Sequence, residues 1–319
     1  MEASRDYGAA VAASTATVRR DELLALAAAL LTVGLWASAF VAIRSAGRDL
    51  SPGALSLCRL VVGAIALGAV IAVRREPLPS RRDIPAIVLV GVLWFGIYNV
   101  ALNEAERRVD AGTAAMLVNI GPIFIAVLAG LILREGFPRT LVAGCATAFA
   151  GVVVIGLATS EEGVHAGWGA VLCVVAALAY AAAVVIQKPV LTRVSGLQVT
   201  FLACTVGAIA CLPFAPTLAG EAGDARGSAI AWAIYLGAAP TAIGFTTWAY
   251  ALARTTAGRT GATLYLVPPL AILMGWAILG ESPPALAFAG GALCLAGVVV
   301  ARGQLRRLRR PAPAAAPGA

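Results

Sequence analysis

The chain has 319 residues, 60% of them apolar and only 13% charged, with a mean hydropathy of +0.88 and a formal net charge of +8. That composition excludes a soluble globular protein. The positive balance then reads as membrane topology and attraction to anionic lipid rather than nucleic-acid binding.

Along the chain, residues 1–20 are rich in Ala, Ser and Arg and read as a disordered tail. Ten apolar stretches follow, at 23–43, 53–73, 84–103, 111–133, 138–157, 168–187, 196–216, 229–253, 261–279 and 284–301. Each is long enough for a helix to cross the hydrocarbon. Residues 303–319 read as a second, basic tail. Arg19, Arg20, the first apolar run and Ala37-Ser38-Ala39 imitate a cleavable signal. The run is long enough to span, however, and its end, GLWASAFVAIRS, has an internal partner in LAYAAAVVIQKP, so it reads as a retained helix.

That partner belongs to a duplication. Residues 105–154 align without a gap onto 251–300, with 17 of 50 positions identical at an offset of 146. The matches include Arg108/Arg254, Gly112/Gly258, Pro122/Pro268, Glu135/Glu281, Pro138/Pro284 and Gly151/Gly297. A weaker register at 144 pairs Trp36 with Tyr180, Arg44 with Lys188 and Gly63 with Gly207. The repeats, 21–158 and 166–302, hold five stretches each. Because five is odd, the second copy enters from the opposite side, which predicts two inverted repeats about an axis in the membrane plane. With the N-terminus inside, 18 of the 24 Lys and Arg residues fall in inner loops or tails and five outside, while Arg59 lies within a span. The positive-inside rule therefore predicts both termini cytoplasmic, in a multi-pass protein of the cell membrane.

Polar groups within spans are the candidates for function, because no water satisfies them there. Trp36 in the first span matches Tyr180 in the sixth. Arg59 in the second span has two readings: a structural cation that snorkels outward or pairs with Asp49, Glu104 or Asp110, or a cavity cation that attracts an anionic group. The third span carries Trp94, Tyr98, Asn99 and Asn103, with Phe95, Asn99, Asn103 and Glu106 along one face. Asn119 and Pro122 lie at the centre of the fourth span and match Tyr265 and Pro268 in the ninth. A mid-helix proline frees the carbonyl four residues before it, here those of Val118 and Leu264. The eighth span adds Pro240, Thr241, Gly244, Thr247 and Trp248. Aromatic rings with hydroxyls and amides suit a cavity for a small, partly apolar solute, although the prolines also read as packing kinks. Glu135 and Glu281, at the ends of the fourth and ninth spans, read as helix-end stabilisers or as gates.

The remaining chemistry is sparse. Six cysteines, all within spans and without CxxC spacing, form neither a disulfide nor a zinc framework. The sole histidine, His165, lies in an outer loop, so neither a serine protease nor a HExxH site can be built at depth. The chain is not read as an enzyme, and no cofactor or metal is expected.

These residues resemble the EamA-type transporters of the drug/metabolite transporter superfamily, over roughly 26–300. The likeness rests on GLWASAFVAIRS, on SPGALSLCRLVVGA with Pro52 seven residues before Arg59, and on AAMLVNIGPIFIAVLAGLILREGFP with its counterpart GATLYLVPPLAILMGWAILGESPP. The resemblance implies a basket of ten helices, a central cavity walled by the first, third, fourth, sixth, eighth and ninth, and export of small metabolites. Ala203 stands where Arg59 would recur, so any role of that arginine is one-sided. The expected mechanism is alternating access by the inverted halves. With no acid deep in any span, the expected substrates are amino acids or similar neutral or zwitterionic solutes, not cations exchanged for protons. A lipid flippase and a nucleotide-sugar or drug carrier are the competing readings. The protein is expected to act as a monomer, with a homodimer open, and its partners are a small solute and the lipid bilayer.

Overall fold

The computed structural model describes residues 2–105, 107–108, 117–159, 168–280 and 284–302. Glu106, Asp110, His165, Glu281 and the basic tail fall outside them. All regular elements among the described residues are helical. In chain order they are α1 (Glu2–Ala46), α2 (Pro52–Arg74), α3 (Ile84–Ala105), α4 (Gly121–Ile132), α5 (Arg139–Thr159), α6 (Trp168–Val190), α7 (Gly196–Ala210), followed by a 3-10 turn (Leu212–Phe214) and a short helix (Ala215–Asp224), then α8 (Gly227–Arg254), α9 (Ala257–Ile278) and α10 (Ala285–Arg302).

Six of these are long and apolar enough to cross a membrane: α1 from Arg20, α2, α3, α6, α8 and α9. A seventh is broken, since α7 bends by 51° into Leu212–Asp224. Pro213 explains the bend, because it lacks the amide proton that would bond the Ile209 carbonyl and its ring crowds that group. The apolar stretch 196–216 is thus helical only to Ala210 before the turn. α4, α5 and α10 are apolar but shorter. At the N-terminus the helix already begins at Glu2, where composition suggested a disordered tail. Residues 8–16 are mostly alanine, the strongest helix former, which is the physical reason.

The duplication is visible in contacts. Mate glycines let α5 and α10 approach closely: a Cβ on Gly151 would lie 2.5 Å from the Gly290 carbonyl oxygen, and one on Gly297 would lie 2.6 Å from that of Gly144. Each of these contacts is the other under the 146-residue offset. A second mate pair sets the two central crossings. A Cβ on Gly237 of α8 would lie 2.6 Å from the Arg59 carbonyl oxygen of α2, and one on Gly91 of α3 would lie 2.7 Å from that of Ala203 in α7. Small residues are what membrane helices need for such approach, since packing rather than hydrophobicity drives their association.

Both third-in-repeat helices widen at the same register. α3 is π-helical over Gly91–Tyr98 and α8 over Gly237–Ile243. Pro240 marks the second site, whereas the sequence of the first carries no proline signal. Extra residues in a turn leave carbonyls to be satisfied by other groups. Asn99 Nδ2 donates to Trp94 O (3.1 Å) and Phe95 O (2.9 Å), and Trp36 Nε1 donates to Pro240 O (3.1 Å).

At one end of the bundle, the α2–α3, α4–α5, α6–α7 and α8–α9 connections lie together. Arg193 clasps Asp83 at 2.6 Å, and Ser195, the N-cap of α7, donates to Glu76. At the opposite end Arg226 bonds Asp49 at 2.9 Å, and the amide of Ser51, the N-cap of α2, donates to Glu221 at 2.7 Å. Asp49 and Arg193, and Ser51 and Ser195, are mates at the offset of 144, so the two staples share that register with the charge exchanged between Asp49 and Arg193.

Candidate functional site

The interruption of α3 and α8 opens the interior, and a second interruption shapes it. Before α4 the backbone turns at Asn119 and Ile120 instead of continuing as helix, and in α9 a tighter 3-10 segment occupies Thr263–Leu266. These breaks are repeat mates, each set by its proline, Pro122 or Pro268. The carbonyl of Val118 accepts the Tyr180 hydroxyl at 3.4 Å. Gly121 makes room for that ring, since a Cβ there would overlap the tyrosine oxygen.

Between these elements lies a cavity of about 680 Å³, counting its open mouth. It is walled by α1 (Trp36, Ala39, Phe40, Ile43), α2 (Arg59), α3 (Trp94, Tyr98, Leu102), the turn before α4 (Val118, Asn119), α6 (Tyr180), α8 (Phe245) and α9 (Leu264, Val267). Ile43 and Leu102 belong to the last turns of α1 and α3, so the cavity extends toward the end that carries Asp49 and Arg226. Its base is a cluster of rings. Trp36 lies 5.0 Å from Phe245 and 5.3 Å from Trp248, Trp94 lies 4.9 Å from Phe245, and Tyr98 packs edge-on to Tyr180 at 5.5 Å. Offset and edge-to-face contacts of this kind hold aromatic side chains rigid.

Arg59 is 6% exposed and is the one cation among the described lining residues. Both Nε (3.3 Å) and Nη2 (3.1 Å) donate to Thr241 Oγ1 in the widened turn of α8. A buried guanidinium is costly without partners, and these hydrogen bonds help to hold it at depth.

Of the residues singled out by sequence, Trp36, Arg59, Trp94, Tyr98, Asn119 and Tyr180 line the cavity. The other six do not. Thr241 stands behind Arg59, and Asn99 is spent on its own helix. Trp248 is fully buried beneath Trp36. Pro122 and Pro268 lie at the starts of α4 and the last helical part of α9. Tyr265, the mate of Asn119, is 0% exposed and packs in a separate cluster with Val33, Ala37, Cys145 and Cys294. Its symmetry with Asn119 is one of sequence and not of surroundings. Phe245 was missed, yet it is the mate of Asn99, so the repeat itself held that signal. Val118 and Leu264, whose carbonyls the prolines free, also contribute wall.

Asp83 lies outside the spans, at the start of α3. The Arg193 hydrogen bond holds its carboxyl below the ordinary aspartate value, against the opposing effect of burial, with Ser80 and the charges of Arg193 and Arg82 helping.

Comparison with known proteins decides the family. The model of the EamA-like transporter family matches twice, at residues 23–157 and 167–303. The chain belongs to the EamA-like transporter family. It is a multi-pass membrane protein and a transporter. This transporter is 40% identical over 296 residues to a protein of Streptantibioticus cattleyicolor named "Probable terminal-alkyne amino-acid exporter", covering 91% of this chain and 97% of that one. It is 34% identical to an uncharacterised transporter of Bacillus subtilis, covering 84% and 87%. A relative from Archaeoglobus fulgidus is 31% identical, covering 85% and 95%. A solved crystal structure with 20% identity matches with a TM-score of 0.73 over 89% of this transporter and 98% of that chain, which supports the shared fold.

Proposed function

We propose that the protein exports small zwitterionic metabolites of the amino-acid class by alternating access. The observation that carries this reading is the cavity: one arginine anchored at a helix crossing and faced by a rigid aromatic wall. A carboxylate docks on Arg59 through charge-assisted hydrogen bonds. An apolar or unsaturated side chain lies against Trp36, Trp94, Phe245 and Tyr180, whose faces also attract an ammonium group. The Streptantibioticus relative named "Probable terminal-alkyne amino-acid exporter" supports this substrate class.

The path consists of ten crossings in two inverted halves, in which α4, α5, α7 and α10 complete the six long helices. Both termini and the arginine-rich connections face the cytoplasm, following the charge bias. The end that carries Asp49 and Arg226 is then external, and the cavity is the outward-facing form. The protein works as a monomer, because α5 and α10 already pair as two subunits of a dimer would.

The test is exchange across liposomes that contain the purified protein, with a mixture of amino acids followed by mass spectrometry. Transport by wild type that is lost in Arg59→Gln and Asn119→Ala is the expected result. Equal transport of an amino acid and its uncharged-carboxyl amide would remove Arg59 from substrate recognition. No movement of any solute by a folded protein would remove the exporter reading.

A further inference from the structure

The connection after α4 takes an unusual path. Arg134 adopts a left-handed conformation (φ +55°) and Gly136 another (φ +71°), and between them the Glu135 amide bonds back to Ala129 O at 3.2 Å. This turn aims the Glu135 side chain away from its own helix and into the other half of the protein. Its Oε1 accepts the Ala257 amide at 2.8 Å and its Oε2 the Gly258 amide at 3.2 Å. Thr256 Oγ1 accepts the Arg259 amide at 3.4 Å. The first three amides of α9, which have no acceptors within the helix, are thus satisfied, two of them by a carboxylate from the opposite repeat.

The helices beneath this contact are packed closely. A Cβ on Gly258 would lie 2.9 Å from Leu141 and 3.8 Å from the Ala126 backbone, and one on Gly261 would lie 3.1 Å from Ile125. Beside it Lys188 Nζ donates to Leu252 O and Thr255 O and ties the end of α8 to α6. The two staples described above are present together, one at each end of the bundle, so neither distinguishes one face from the other. The Glu135 contact joins α4 to α9, the two helices broken beside the cavity, at the end opposite the cavity's extension.

We infer that Glu135 is a latch that holds the cytoplasmic face shut: its carboxylate stays on the α9 amides only while the α4 and α9 ends touch, so it stabilises the outward-facing state. The inference rests on the alternating-access reading. Opening inward separates α4 from α9 and exchanges the two charged hydrogen bonds for water. Weakening the latch therefore moves the population toward the inward-facing state. A role confined to capping α9 would lower stability without favouring either face.

The experiment is Glu135→Gln, which keeps shape and one acceptor but removes the charge, with Glu135→Asp as a shorter acid that retains it. In liposomes the half-saturating concentration should fall by about fivefold from the cytoplasmic face and rise by a similar factor from the external face. Hydrogen exchange on the full-length protein should accelerate in 257–262 and in the facing part of α4, 126–132. Equal changes from both faces, or exchange accelerated at 257–259 alone, would reduce Glu135 to a helix cap and overturn the inference. If wild type moves no solute, the exporter reading fails by itself. Exchange then decides the latch: acceleration in both segments supports it, and unchanged exchange in 126–132 overturns it.

Discussion

The crossing of α2 on α8 and the crossing of α7 on α3 are the same device made twice, and they differ in chemistry. In each, a helix passes over the π-helical turn of its partner at a glycine, Gly237 against Arg59 and Val62 or Gly91 against Ala203 and Val206. In each, a second glycine receives the next residue of that turn: Gly63 faces Thr241, and Gly207 faces Phe95. The backbone has kept its duplicate geometry, while the side chains have divided into a polar pair, Arg59 with Thr241, and an apolar pair, Ala203 with Phe95. Close approach constrains the glycines in both halves. Only one crossing carries a cation at the cavity, which under the proposed function would give a zwitterion one orientation within a nearly symmetric frame.

The largest effect should come from breaking the shared geometry. Gly91→Val and Gly237→Val each force a branched side chain against backbone and should destabilise by about 3 kcal/mol or more, to a similar extent at both crossings, in thermal unfolding in detergent. A large difference between the two would show that the crossings are not mechanically equivalent. Arg59→Gln should come next. It should reduce transport of a carboxylate substrate by about 30-fold or more and leave unfolding less affected than either glycine variant. Thr241→Val removes the hydroxyl that holds the guanidinium and should cost about 1–3 kcal/mol in substrate affinity. Phe95→Ala at the mate position should act on stability instead.

The smallest effects belong to the staples. Asp83 is held below its usual value, so its bond to Arg193 contributes stability above the ordinary aspartate range. That contribution is lost as pH falls through the lowered folded value. Wild type and Asp83→Asn should therefore differ in melting temperature at neutral pH and converge in strong acid. A gap that persists at low pH would mean the carboxylate is not what the staple uses.

Much of the frame was legible because it repeats along the chain. Pro122 and Pro268 announced the two breaks, and Trp36 and Tyr180 the two rings that reach backbone carbonyls. Less of the site was legible, for identifiable reasons. The π-helical turn at Gly91–Tyr98 lacks a proline, so no local residue forecasts it, and its position follows only from its mate in α8. Tyr265 and Asn119 share a register but not an environment, because Asn119 meets the space between the halves while Tyr265 meets α1, α5 and α10. Equivalence in sequence fixes where a residue lies along its helix, and what it faces depends on the neighbour.

By itself the sequence determined that this is a membrane protein built from a duplicated half. Those properties follow from composition, length and period, which are local or additive along the chain. Tertiary structure alone decided that Arg59 meets Thr241 across 182 residues, that Phe245 closes the aromatic wall, and that Glu135 crosses to the amides of α9. Each is a contact between repeats, and such contacts are set by how two apolar surfaces pack, which no periodicity within either surface encodes.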